Sequence, residues 1–289
     1  MSERRTLSPE VVGTPLPPTA FEYDERDVML YAIGVGASEL DFVYERNLKV
    51  LPTFAVIPAF PALTGLTGAV EINPVMVLHG EQSFTIHKSI PTRGKLTTSG
   101  KVTGVYDKGK GALVTIETET RDEQGDLLFV NSSGIFVRGA GGFSGDRGPE
   151  AGNLPPERPP DKVVEMQTLP IQAIIYRLSG DRNPLHVDPA FAQMAGYDRP
   201  ILHGLCSFGH VGRAILAEYC GNDPSRFAGM SVRFSGVVFP GDTITTEMWD
   251  PSTAPGGALR TGSGSREIIL QAKTQAGRVV ISNAAAAVR

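Results

Sequence analysis

The chain of 289 residues has little of several things, and each shortage excludes a class of protein. It has two cysteines, Cys206 and Cys220. A disulfide framework is therefore not expected, and buried thiols in a reducing compartment are. It has no basic excess: 27 Lys and Arg stand against 31 Asp and Glu, a net charge of −4, so no nucleic-acid partner is expected. No apolar run approaches the roughly 20 residues of a membrane span, so no membrane partner is expected either. The first twenty residues hold no apolar signal region, and the last four, AAVR, are not an SKL-type address, so a cytoplasmic location is expected. Asn131-Ser132-Ser133 matches a glycosylation sequon that means nothing without export.

What the chain has is 41% apolar residues, enough for two cores, and two halves that echo each other. Gly139 to Asp161 reads GAGGFSGDRGPEAGNLPPERPPD and supports no period. It divides the chain into 1–138, a linker at 139–161, and 162–289. Its glycines form no phosphate loop, and Gly34-Val35-Gly36 is no dinucleotide fingerprint because Glu39 stands at the third glycine position. PTRGKLTTSGKV from Pro91 and PGDTITTEMW from Pro240 each open a strand after a Pro/Gly turn. Two alternating strands follow in each half, turning at Gln124-Gly125-Asp126 and at Gln275-Ala276-Gly277. Pro170 opens a helix that Gly180 ends, and Asp188-Pro189 caps a short one closed by Gly196. From Gly204 to Cys220, Leu205, Phe208, Val211, Ile215 and Tyr219 recur at helical spacing among Ala and Gly, predicting a largely buried helix. The first-half counterpart, LPTFAVIPAF from Leu51, carries Pro52 and Pro58, so only a short helix is expected there. A helix wrapped by a curved antiparallel sheet, twice, is the predicted α+β architecture.

Between the helix ending at Gly180 and the cap at Asp188 the chain reads DRNPLH, with Asp181, Asn183 and His186 within six residues. Pro184 stiffens the stretch. An acid and an imidazole five residues apart can share one water, His taking a proton near neutral pH and Asp giving one if burial raises its pKa. An ordinary capped turn is equally compatible with the spacing. A calcium loop needs Gly at its sixth position and Glu at its twelfth, where His186 and Ala192 stand. The first half reads GVGASELDFVYE at the corresponding place and lacks both the Asn-Pro and the His.

The run YRLSGDRNPLH from Tyr176, with Asp188-Pro189, Ala195-Gly196 and RPILHGLC from Arg199, resembles the type 2 enoyl-CoA hydratases, the MaoC-like double hot-dog family. LYAIGVGAS, LPTFAVIPAF, LHGEQ and DKGKGA extend the resemblance through the first half. It implies a double hot-dog fold whose N-terminal repeat has an incomplete central helix. It also implies reversible hydration of trans-2-enoyl-CoA to the (3R)-3-hydroxyacyl-CoA, with no metal and no cofactor beyond the CoA of the substrate. Asp181 and His186 would be the catalytic pair and Asn183 would orient the water. The backbone N–H of Gly204 would bind the thioester oxygen, a role that a helix N-terminus also suits on physical grounds. His79, Gly80, Lys108, Arg182, Pro184, Leu185 and Phe234 would contact the substrate, and Leu51 to Phe54 would line space for the acyl chain. A homodimer is expected, and His203 and His210 are read as structural. A hot-dog thioesterase and a non-catalytic acyl-CoA binding module are the competing readings.

Overall fold

The computed structural model describes residues 5–73, 76–150, 152–253 and 265–289. In chain order the main elements begin with β1 (Pro15–Tyr23), α1 (Glu25–Gly34), α2 (Val56–Thr64), β2 (Val77–Ile86), β3 (Gly94–Asp107), β4 (Gly111–Arg121) and β5 (Leu127–Arg138). They continue with β6 (Lys162–Gln167), α3 (Gln172–Tyr176), α4 (Pro189–Met194), α5 (Gly204–Cys220), β7 (Phe227–Phe234), β8 (Thr243–Trp249), β9 (Arg266–Thr274) and β10 (Val279–Val288). Contacts divide the chain into two compact units. The first comprises the described residues of Met1–Glu22, Ala55–Lys88 and Gly94–Ala151, and the second those of Tyr23–Phe54, Ser89–Arg93 and Gly152–Arg289.

In the first unit the strand order is β1-β3-β4-β5-β2. The alternation predicted at Val114 to Thr118 sets the burial: Val114 and Ile116 are fully buried, while Thr115 and Glu117 face outward. The β4–β5 hairpin turns where expected, with Gly125 at φ +84. Pro17 and Pro18 fall in β1, the edge strand, where missing N–H groups cost no ladder bonds.

The first-half helix is short and segmented, as its prolines suggest. A 3-10 turn at Pro52–Ala55 leads into α2, and a further helical turn covers Leu66–Ala69. Pro58 sits in the first turn of α2, where an intrahelical N–H partner is missing anyway; Pro61 is interior. Buried side chains of the sheet meet carbonyls of this path: Thr98 Oγ1 donates to Pro58 O in α2 at 3.3 Å, and Asn131 Nδ2 to Ala55 O at the end of the 3-10 turn at 3.1 Å. The helix is thus short, at 9 residues against 17 for its second-half counterpart.

In the second unit the strand order, β7-β10-β9-β8-β6, repeats the pattern, and α5 packs on β7, β8 and β10. The five apolar residues predicted for the face of α5 are all buried, Phe208, Val211 and Ile215 completely. Gly221, left-handed at φ 61, ends the helix. Glycine lets neighbours approach α5 closely. A Cβ on Gly209 would stand 2.3 Å from Val35 Cγ1, and one on Gly212 would stand 2.4 Å from Thr53 Cγ2.

The contiguous reading of 1–138 as one repeat departs from these contacts, because Tyr23–Phe54 joins the second unit. The physical reason is α1. Gln172 Nε2 donates to Ile33 O at 3.1 Å and Gly34 O at 2.6 Å, and Arg213 pairs with Glu39 at 2.9 Å. Leu51 to Phe54 are buried, Phe54 ringed by Tyr23 and Tyr31 at centroid distances of 5.2 and 5.5 Å. They pack among these rings within the second unit. The described part of 139–161 has no helix or strand, yet it is anchored. The Asp107 carboxylate accepts backbone N–H bonds from Gly109, Gly142 and Ser144, which hold its pKa below the usual range. Further on, Arg158 and Asp161 form a two-pronged pair at 2.9 and 2.8 Å.

Replacing Gly209 by Leu should overpack the α5–Val35 contact and lower stability by about 1–3 kcal/mol or more. Urea unfolding measures this, and an unchanged midpoint would contradict the packing role.

Candidate active site

The loop after α3 is built by local chemistry. Gly180 takes φ +138, a region closed to other residues, and turns the chain out of its helix. Asp181 Oδ1 then accepts the N–H of Asn183 at 3.1 Å, and Asn183 Oδ1 accepts that of Leu185 at 3.0 Å. Asn183 thereby caps a 3-10 turn, Pro184–His186, with Pro184 at its first position. The Asn183 carbonyl oxygen is committed to this cap, so its exposed amide NH2 is the part left for a ligand.

The turn carries His186 inward, where it is 8% exposed. Its Nδ1 lies 2.8 Å from Ile201 O. A carbonyl only accepts, so Nδ1 carries the proton and Nε2 keeps a free lone pair. Burial lowers the His186 pKa, opposed by the nearby Asp181 charge and the Ile201 bond, and the ring is neutral at pH 7. Half-buried Asp181 stands beside it: one carboxylate oxygen of Asp181 and one ring nitrogen of His186 lie within 4.8 Å of each other. One water at about 2.8 Å from each can bridge that span.

His203, read from sequence as structural, stands in the same cluster. Its ring stacks on His186 at 3.7 Å between centroids and 27° between planes, and its Nε2 lies 3.1 Å from Asp181 O. Nothing in the spacing of the sequence pairs position 203 with 181 and 186; the HG that starts α5 was its one signal. Asp181, His186 and His203 are close enough for a metal, but their geometry does not suit one. Imidazole lone pairs lie in the ring plane, so two stacked rings aim theirs side by side and not at one ion.

Gly204, next in the chain, opens α5. Its N–H and that of Leu205 meet no protein acceptor among the described residues. They carry the partial positive charge of a 17-residue helix. A Cβ at Gly204 would meet the Phe234 ring at 3.3 Å, so Phe234 borders the expected oxyanion position. The structure brings Asp181, Asn183, Pro184, Leu185, His186, Gly204 and Phe234 into one neighbourhood of the second unit, with Arg182 exposed on the same loop.

His79, Gly80 and Lys108 lie in the first unit. His79 Nε2 donates to Gln82 Oε1 at 3.1 Å, joining a chain through Gln82 and Asn131. Gly80 is the extra residue of a β-bulge in β2. Lys108 Nζ donates to Arg147 O and lies 6.0 Å from the Tyr106 ring centre.

Comparisons with known proteins show the family. Residues 21–139 match the family model for the MFE-2 hydratase 2 N-terminal domain, and residues 151–269 match that for the MaoC-like domain. A probable enoyl-CoA hydratase 2 of Dictyostelium discoideum is 43% identical over 84% of this chain and 88% of its own length. The chain belongs to the MaoC-like enoyl-CoA hydratase 2 family. The peroxisomal enoyl-CoA hydratase 2 of Arabidopsis thaliana is 44% identical over 81% of this chain and 84% of its own. The chain spans only 30% of another relative, the peroxisomal hydratase-dehydrogenase-epimerase of Neurospora crassa, at 43% identity. A crystal structure of a MaoC-like dehydratase from Phytophthora capsici, 35% identical, superposes with a TM-score of 0.83 over 98% of this chain and 99% of that one. A Mycobacterium tuberculosis protein described as a double hotdog fold, 14% identical, superposes at 0.59 over 96% of both chains and speaks to the fold alone. The fold is the double hot dog, and the family's enzymes are hydro-lyases. No described helix is long and apolar enough to cross a membrane.

Three buried imidazoles give this MaoC-like chain a pH-dependent stability. Burial is the main cause in each, lowering His203 to about 2, His210 to about 4, and His186 below its usual value. Each folded pKa lies below the unfolded one, so the unfolded chain takes up protons the folded one refuses. The stabilisation is whole above about pH 6.5 and lost as the pH falls. By pH 5, His203 and His210 should each lose about 2 kcal/mol relative to pH 7. Urea unfolding at the two pH values measures this, and equal stability would contradict the buried neutral assignment.

Proposed function

We propose that this enzyme adds water across the 2,3 double bond of a trans-2-enoyl-CoA, giving the (3R)-3-hydroxyacyl-CoA, and catalyses the reverse dehydration. One observation supports the reading: a carboxylate oxygen of Asp181 and a ring nitrogen of His186 lie within 4.8 Å, a span one water can bridge, and the bond to Ile201 O leaves Nε2 unprotonated. In the hydration direction Nε2 takes a proton from the water, and the water oxygen bonds to C3. The π electrons move to C2 and into the thioester carbonyl, and the proton taken by Nε2 passes through Asp181 to C2, so one water supplies both the hydroxyl and the hydrogen and the enzyme returns to its starting state. The Asn183 amide orients the water. Negative charge grows on the thioester oxygen, where the Gly204 N–H at the start of α5 stabilises it. Such a donor is typically worth about 2.7–4 kcal/mol of barrier.

The proposal needs no metal and no cofactor besides the CoA that the substrate brings. The CoA-contacting roles expected of Arg182, Pro184, Leu185 and Phe234, and of His79, Gly80 and Lys108 in the first unit, belong to it. So do a homodimer, to be read by light scattering as twice the chain mass, and a cytoplasmic location, although two of the relatives above are named peroxisomal.

Crotonyl-CoA tests the reaction. Loss of the enoyl absorbance without thiol release supports hydration; thiol release would favour a thioesterase, and binding without turnover a carrier role. Asp181→Asn and His186→Gln should each lower kcat at least a hundredfold, or about 2.7 kcal/mol of barrier, with a smaller effect on KM. A loss below tenfold would contradict the assigned roles. The acid limb of kcat/KM should lie below pH 6.5, because burial lowers the His186 pKa.

A further inference from the structure

We infer that His203 is a positioning residue, whose neutral ring ties the Asp181 peptide, the His186 imidazole and the start of α5 into one rigid unit. The inference deepens the proposed function and rests on it. Three contacts of one residue carry it. The first is the bond between His203 Nε2 and Asp181 O at 3.1 Å. The carbonyl accepts, so Nε2 carries the proton and Nδ1 is bare; Nδ1 is buried and has no partner among the described residues. A proton added to Nδ1 would meet no acceptor, so the ring stays neutral. The second contact is the stack on His186 at 3.7 Å, which fixes the plane of the base and keeps water from one of its faces. The third is the main chain: His203 O accepts the N–H groups of Cys206 at 3.0 Å and Ser207 at 3.2 Å, pinning the helix start beside Gly204.

The groups that face His203 account for its state. His186 and Asp181 come from the loop, Arg177 from the turn after α3, and Tyr176 from α3 with its ring 4.9 Å away. His186 and Arg177 both oppose a charge on His203, and burial opposes it more strongly, lowering its pKa to about 2. His203 touches no reacting atom in the proposed step. Its effect is to hold Asp181 and His186 at the separation one water can bridge.

Two variants separate its parts. His203→Phe keeps a flat ring against His186 but loses the N–H to Asp181. His203→Gln keeps an N–H donor but loses the stack. Wild-type turnover of crotonyl-CoA is measured first, since its absence overturns the proposed function itself. Given that turnover, both variants should lower kcat at least tenfold with KM changed less than threefold. In the Gln variant water reaches the uncovered face of His186, its pKa rises toward the ordinary value, and the acid limb of kcat moves to higher pH. In the Phe variant that limb should stay in place. Wild-type kcat in both variants, or an unmoved limb in the Gln variant, would overturn the inference. Histidine nitrogen NMR of the unmodified enzyme gives a reading that needs no variant to fold. His203 should remain a neutral Nε2–H tautomer from pH 8 to pH 5, and a cation or an Nδ1–H form at pH 6 would equally overturn it.

Discussion

Two imidazole rings lie face to face in a buried place, and they cannot both be charged. At 3.7 Å, two positive charges repel by about 4 kcal/mol even at an effective dielectric of 20. Each ring also gives its one N–H to a main-chain carbonyl, His186 to Ile201 and His203 to Asp181. Neutrality and tautomer are therefore fixed together, and with them the direction in which His186 offers its lone pair. The rest of the loop serves this arrangement. Gly180 makes the turn, the Asn183 cap and Pro184 stiffen it, and the stack binds it to the start of α5.

The stacked rings sit against the start of α5, a firmly packed helix. Its glycines bring the backbone within a methyl's width of Val35 and Thr53, and its apolar face fills the second sheet. The helix also opens at Gly204, whose N–H meets no protein acceptor among the described residues, next in the chain to His203. Packing and electrostatics thus come from one element. A change that loosens α5 disturbs the site even where it touches no catalytic atom.

Much of this could be read from the chain alone. The hairpins at Gly125 and Gly277, the long helix, and the loop with Asp181 and His186 all follow from local patterns, since turns, caps and helical stripes are set by neighbours in sequence. Contacts between distant segments left no such trace. The strand at Pro15–Tyr23 is hidden by its prolines, which only an edge position tolerates. Pro58 is accommodated because it falls in the first turn of a short helix. His203 lies seventeen residues beyond His186, and no periodicity tells that the two rings stack. The linker was recognised by composition, but the bonds that tie it to Asp107 come from a turn more than thirty residues earlier.

The placement of α1 has a consequence for how such a chain can be inherited. Its residues are encoded in the first half, yet Gln172 and Arg213 in the second hold the main-chain oxygens at its end. If the two halves arose by duplication, this exchange marks the point after which neither could be passed on alone. A gene severed at the glycine-rich stretch would leave the downstream fragment with amide and guanidinium groups reaching for carbonyls it no longer encodes.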